Sequence, residues 1–287
     1  MNQALNPPAF NTEAITFVLG FIFAFFLVRR LSVWLSSYKK TPTHVEYWVY
    51  STQDKLPDQN ELMKAIVGAN PYIKNGINPI GPSEGLVFSD VRFKIALVLK
   101  TKNQQFFSPA TFEDELLERP ELAEALQKSE SIIKIQYSSN QPVKNFNYLQ
   151  MLPHAVMAAS NLTGKGIIFD AIHKKFYTHA HWHELLSTHF KLDCPEAHVL
   201  VNESEDHCFS TLGLAKIGLR ELETLRVPHD LVHLTKELLS DFISQIWSTR
   251  SYKDLKTEKY GDQFILQPNP VHSVMKVRIH RIQESNS

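Results

Sequence analysis

The chain has 287 residues, with 30 Lys and Arg against 30 Asp and Glu, enough for one or two packed domains. The balance hides an asymmetry, because residues 1–40 hold four basic residues and one acid, leaving 26 against 29 in residues 41–287. That mildly acidic body has no Lys/Arg block, which argues against a nucleic-acid partner, and two cysteines, Cys194 and Cys208, build no disulfide framework and lack the CxxC spacing of redox or zinc sites.

Residues Ala14 to Val28 form an uncharged apolar run. At a rise of ~1.5 Å per residue it spans roughly 22 Å, short of the ~30 Å hydrocarbon core, so its flanks must help it cross. Leu31, Trp34, Leu35 and Tyr38 fall on one helical stripe beside Arg29, Arg30, Lys39 and Lys40, a pattern suited to the headgroup level. A cleaved signal peptide would carry positive charge before the run, and Met1 to Glu13 has no Lys or Arg. A buried core helix is the other alternative. Basic residues after the span and none before it predict an outside N-terminus and a cytoplasmic C-terminal part in a cell inner membrane. Residues 1–13 are then a short tail, 14–40 the transmembrane helix with its basic juxtamembrane segment, and 41–287 the soluble domain, with sub-units 41–130, 131–195 and 196–287.

Val45 to Tyr50 reads as a strand from its aromatic and β-branched content. Asp58, Gln59, Asn60 and Glu61 give a capping-box-like helix start ahead of Leu62, Ala65 and Ile66. Beyond a loop from Asn75 to Pro82 come Gly85–Phe88 and a long strand from Val91 to Lys100, with Val91, Phe93, Ile95, Leu97 and Leu99 on its core face. Ser108-Pro109 and Pro120 each open a helix. Ile133, Ile135 and Tyr137 mark a strand, and Tyr148 to Leu162 a helix in which Pro153 sits at the first turn or at a kink.

Gly166 to Asp170 is again a strand, followed by a helix from Thr178. Phe107 to Leu117 and Tyr177 to Leu186 match in register, with an aromatic, a Ser/Thr cap, Ala and an aromatic in each. This reads as an internal repeat of a strand, helix, strand, helix unit, or as chance likeness between two junctions. The last third holds a strand from Ala197 to Val201, the run Thr211 to Glu223, and an amphipathic helix bearing Leu231, Leu234, Leu238, Phe242 and Ile246. Strands at Phe264–Leu266 and Val274–Ile282 close the sheet. Alternating strands predict an α+β fold, a mainly antiparallel sheet with packed helices, preceded by the transmembrane helix.

The stretch from Gly166 to Trp182, taken with the run from Thr211 to Glu223, resembles bacterial families of uncharacterised function. The resemblance implies a bacterial origin and carries no activity with it.

Seven of the thirteen histidines fall between His173 and His207. In His179-Ala180-His181-Trp182-His183-Glu184 the pair His183-Glu184 stands where the HxHxDH run of metallo-β-lactamase-like hydrolases has Asp-His. On a helix, His179 and His183 share a face at i, i+4, the spacing that lets two imidazoles reach one divalent ion such as Zn; the alternative is a solvated helix face. Asp206-His207-Cys208 places an acid, a base and a nucleophile in line, but neighbours along a strand point to opposite faces. Gly213 and Gly218 lack phosphate-loop spacing. The expectation is a single-pass membrane protein with a cytoplasmic binding domain for a protein partner and no cofactor; the competing reading is a metal-dependent hydrolase built on His179 and His183.

Overall fold

A computed structural model describes residues 41–71 and 92–282, apart from Pro142, His189, Leu192, Asp193, Glu205, His272 and Ser273. The strand expected at Gly85–Phe88, the apolar span 14–28 and the basic segment Arg29, Arg30, Trp34, Tyr38, Lys39 and Lys40 lie outside those residues. Among the described residues no helix is long and apolar enough to cross a membrane.

The fold is α+β, with two mainly antiparallel sheets and packed helices. The first sheet takes β1 (Thr43–Ser51), β2 (Phe93–Leu99), β3 (Ser131–Ser139), β4 (Ile168–Asp170) and β5 (Lys175–Tyr177) in the order β2-β3-β1-β4-β5. Only His44 of β1 escapes full burial, because helices cover both faces of this central strand. Val45, Tyr47 and Val49 point to one face, where α1 (Gln59–Gly68) brings Leu62 and Ile66 and α4 (Tyr148–Leu162) brings Leu149, Leu152 and Val156. Trp48 and Tyr50 point to the other, into an aromatic cluster with Phe107, Phe169 and Phe176 that α3 (Pro120–Lys128) closes with Leu122 and Leu126.

Local chemistry sets these elements. The Asp58 carboxylate accepts from the amides of Asn60 and Glu61 and starts α1. Pro153 lies inside α4, and its carbonyl accepts from Trp182 Nε1 at 3.1 Å, which ties α5 (His179–Thr188) to α4. At Ser108 the expected helix opens instead as a 3-10 turn, Pro109–Phe112, before the single turn of α2 (Glu113–Leu116), and the Ser108 side chain makes no capping bond. The two segments matched in register therefore serve opposite faces of the sheet: Phe107 and Leu116 sit in the aromatic cluster and Trp182 in the larger core.

The second sheet has the order β6-β7-β8-β11-β10-β9, from β6 (Leu200–Glu203), β7 (Phe209–Leu212), β8 (Glu221–Thr224), β9 (Lys256–Lys259), β10 (Asp262–Val271) and β11 (Val274–Ile282). β6 begins later than expected because Pro195–Ala197 forms a 3-10 turn. β8 and β11 run parallel, joined through α6 (Val232–Thr249) and then β9 and β10, a pairing that antiparallel alternation alone did not foretell. Leu238, Phe242 and Ile246 of α6 pack with Leu222, Phe264, Met275 and Val277 in the same core that β1 and α4 enter.

Candidate functional site

Where the two sheets meet, three ionisable side chains converge inside the core. Asp170 ends β4, His173 lies in the turn to β5, and Lys216 comes from the loop between β7 and β8; they are 1%, 6% and 0% exposed. The Asp170 Oδ1 atom accepts from the amides of Ile172 and His173, both at 2.9 Å, an Asx turn that folds the hairpin and places the imidazole. Lys174 takes a left-handed φ of +56° to finish the reversal.

Lys216 is delivered by a glycine-bracketed 3-10 turn, Leu214–Ile217. Gly213 has φ +128°, and a Cβ there would lie 1.9 Å from the His198 carbonyl oxygen. The Glu221 carboxylate accepts from the amides of Gly213, Leu214 and Ala215 and from Thr211 Oγ1, at 2.8 to 3.2 Å, satisfying the orphan donors of the turn. The Lys216 carbonyl accepts from Tyr148 Oη at 2.5 Å. Leu214 and Ile217 bury their side chains alongside, so the lysine enters the core with apolar neighbours.

Lys216 Nζ lies 3.1 Å from Asp170 Oδ2 and 3.2 Å from His173 Nε2, and His173 Nδ1 lies 3.1 Å from the same carboxylate oxygen. One proton arrangement leaves the cluster neutral: His173 Nδ1–H donates to Asp170, and the Lys216 ammonium donates to Asp170 and to Nε2. The His198 carbonyl, 3.0 Å from Nε2, accepts whenever that nitrogen carries the hydrogen. Burial alone would raise the Asp170 carboxyl, but Lys216 and His173 outweigh it and hold it well below the ordinary carboxylate range. Burial lowers Lys216, and Asp170 opposes that. His198 is held down to about 3 by burial and by Lys216; its ring stacks on Trp247 at 5.3 Å. Tyr47 Oη and His198 Nδ1 are buried without a hydrogen-bond partner among the described residues, and burial followed by Asp170 pushes the Tyr47 phenol well up. The cluster locks the hairpin to the second sheet, and its members are enclosed by core side chains.

The histidines singled out by spacing lie elsewhere. His179 is half-buried, with Nδ1 at 3.0 Å from Ser160 Oγ; burial, then Lys165 and His183, lowers its pKa. His183 is exposed on the same helix face, and His181 packs edge-on to Tyr177. Among the described residues no group of three or more His, Cys, Asp and Glu is placed to hold a metal ion. Asp206 and His207 are exposed, and His207 Nδ1 faces Glu203 at 3.5 Å; Cys194 and Cys208 are not joined in a disulfide, and their thiols face Glu196 at 3.4 Å and the Asp206 carbonyl at 3.8 Å.

Sequence reasoning missed Asp170, His173 and Lys216 as a set, because Lys216 lies 46 residues beyond Asp170 and nothing in either segment points to the other. The available signal was a lysine flanked by Leu214, Ala215 and Ile217 and bracketed by two glycines. Compared with protein-family models, curated proteins and solved structures, the chain matches none.

Proposed function

We propose that the chain is a single-pass membrane-anchored protein of bacterial origin whose α+β part lies on the cytoplasmic side and binds a protein partner. The anchor rests on the apolar run 14–28 and on Arg29, Arg30, Lys39 and Lys40. The observation that carries the binding reading is the direction of the ionic cluster. Asp170, His173 and Lys216 turn their polar atoms toward one another and the His198 carbonyl, so this charge braces the joint between the two sheets and leaves recognition to exposed side chains elsewhere. Site-specific photocrosslinking of the full chain in native membranes tests it. A single saturable protein adduct on the cytoplasmic side is expected. Alkaline phosphatase activity from a fusion after Ser287, or metal-dependent hydrolysis lost in His179→Ala, would overturn it.

A further inference from the structure

The second sheet leaves one strand edge half covered. β11 runs from Val274 to Ile282, yet β8 pairs with it only from Val274 to Val277. One bond follows, the Leu225 amide donating to the Val277 carbonyl over 3.0 Å, and then the chain from Arg226 to Pro228 diverges. Alternate residues of a strand turn their backbone N–H and C=O to the same side. Val277 turns its carbonyl toward β8, so Ile279 and Arg281 do likewise, and neither has a backbone partner there among the described residues.

The gap is a groove of about 140 Å³ between Thr224–Pro228 and Arg278, Ile279 and His280. Val227 and Ile279 give it a buried apolar floor, while Arg226, Arg278 and His280 stand exposed around it. Neither arginine has an ion pair among the described residues. The nearby carboxylates are engaged elsewhere, Glu223 with Lys276 and Asp262 with Arg281.

We propose that this groove docks an extended acidic segment of a protein partner, which adds as a strand to β11 at Ile279 and Arg281 and sets carboxylates against Arg226 and Arg278. The proposal rests on the reading of the chain as a binding protein and names the site and the chemistry of the ligand. Unpaired strand edges recruit extended peptides through main-chain bonds, which a free anion cannot supply. Guanidinium forks fit carboxylates. A lipid surface fits less well: a Cβ on Gly218 would lie 3.4 Å from the Thr41 carbonyl, so Thr41, the first described residue, sits ahead of β8, whereas Arg226 follows the far end of that strand.

The test uses the full chain in detergent micelles and a fluorescent peptide of alternating Glu and Val. The peptide should bind saturably and slow hydrogen exchange at the Ile279 amide. Arg226→Gln and Arg278→Gln, both at exposed positions, should each weaken binding by about tenfold with the circular dichroism unchanged. A Lys-for-Glu peptide and a backbone N-methylated peptide should fail. Equal binding of either control, inorganic phosphate competing as strongly as the peptide, or an Ile279 amide already protected in the free chain would overturn the proposal. If a membrane cross-linked partner persists in the Arg226→Gln/Arg278→Gln double variant, the groove is wrong and the wider reading stands. If neither chain gives an adduct while the peptide binds as described, the wider reading fails and the groove stands.

Discussion

Lys216 Nζ and Asp170 Oδ2 meet at 3.1 Å across the junction of the two sheets, and both side chains are withdrawn from solvent. Removing one member strands the other charge in the core, at a cost of roughly 3–5 kcal/mol. Lys216→Met should therefore be severely destabilising. Adding Asp170→Asn should recover part of the loss, so that the double variant is more stable than the sum of the singles. Urea unfolding of the full chain and the two single and one double variants reads the coupling directly; strict additivity would mean that the pair is not coupled.

Stability should fall with acid in two stages. His198 is held at about 3 in the fold by burial and by Lys216, against ~6.5 unfolded. Between those values the unfolded chain binds the extra proton, so stability is full above about pH 6.5 and is lost as pH falls, by up to ~1.4 kcal/mol per unit. Burial raises Glu46, but bonds from His44, Lys134 and Trp48 outweigh it and hold it at about 2, and Asp170 is also depressed. Both carboxylates contribute stability above their unfolded range near pH 4 and lose it below. His198→Phe, which keeps the ring against Trp247, should flatten only the upper stage in a series of unfolding curves from pH 7.5 to 3.5.

Much of this architecture was legible in the sequence. The helix from Tyr148 to Leu162 has the bounds its pattern gives, and Met275, Val277 and Ile279 alternate into the core as read. The ionic cluster was not legible, because the apolar and glycine neighbours of Lys216 mark an unusual loop but do not say where it folds; its burial is decided by Tyr148 and Glu221 acting from other elements. The parallel pairing of β8 with β11 was hidden for a similar reason. β8 contributes four residues, too few for a period to show direction.

Glycine substitutions should separate crowding from backbone preference. In Gly213→Ala the new methyl would lie 1.9 Å from the His198 carbonyl oxygen at φ +128°, so the turn carrying Lys216 must move and the chain should fail to fold cooperatively. Gly261→Ala, at φ +84° with nothing within 4 Å, should cost only about 1 kcal/mol from the left-handed backbone. Thermal melts of the two side by side give the comparison.

The helix face carrying His179 and His183 should be tolerant. His183→Ala is expected to shift stability by no more than about 0.5 kcal/mol, and the chain purified without a histidine tag should show no stoichiometric zinc or manganese by elemental analysis. Stoichiometric metal that disappears in His183→Ala would move the assignment to the hydrolase reading.

The place of β1 at the centre of its sheet also sets a timetable for synthesis. Thr43 pairs with Ser139, Ser51 with Ser131, and Tyr47 with Asp170, so the first described strand has no sheet neighbour until the ribosome has added roughly eighty to one hundred and twenty more residues. At ~5–20 residues per second that is a wait of several seconds or more with Tyr47, Trp48, Val49 and Tyr50 unshielded. A nascent chain of this order calls for a holdase at that strand, and moving β1 to the C-terminus by circular permutation would shorten its exposure.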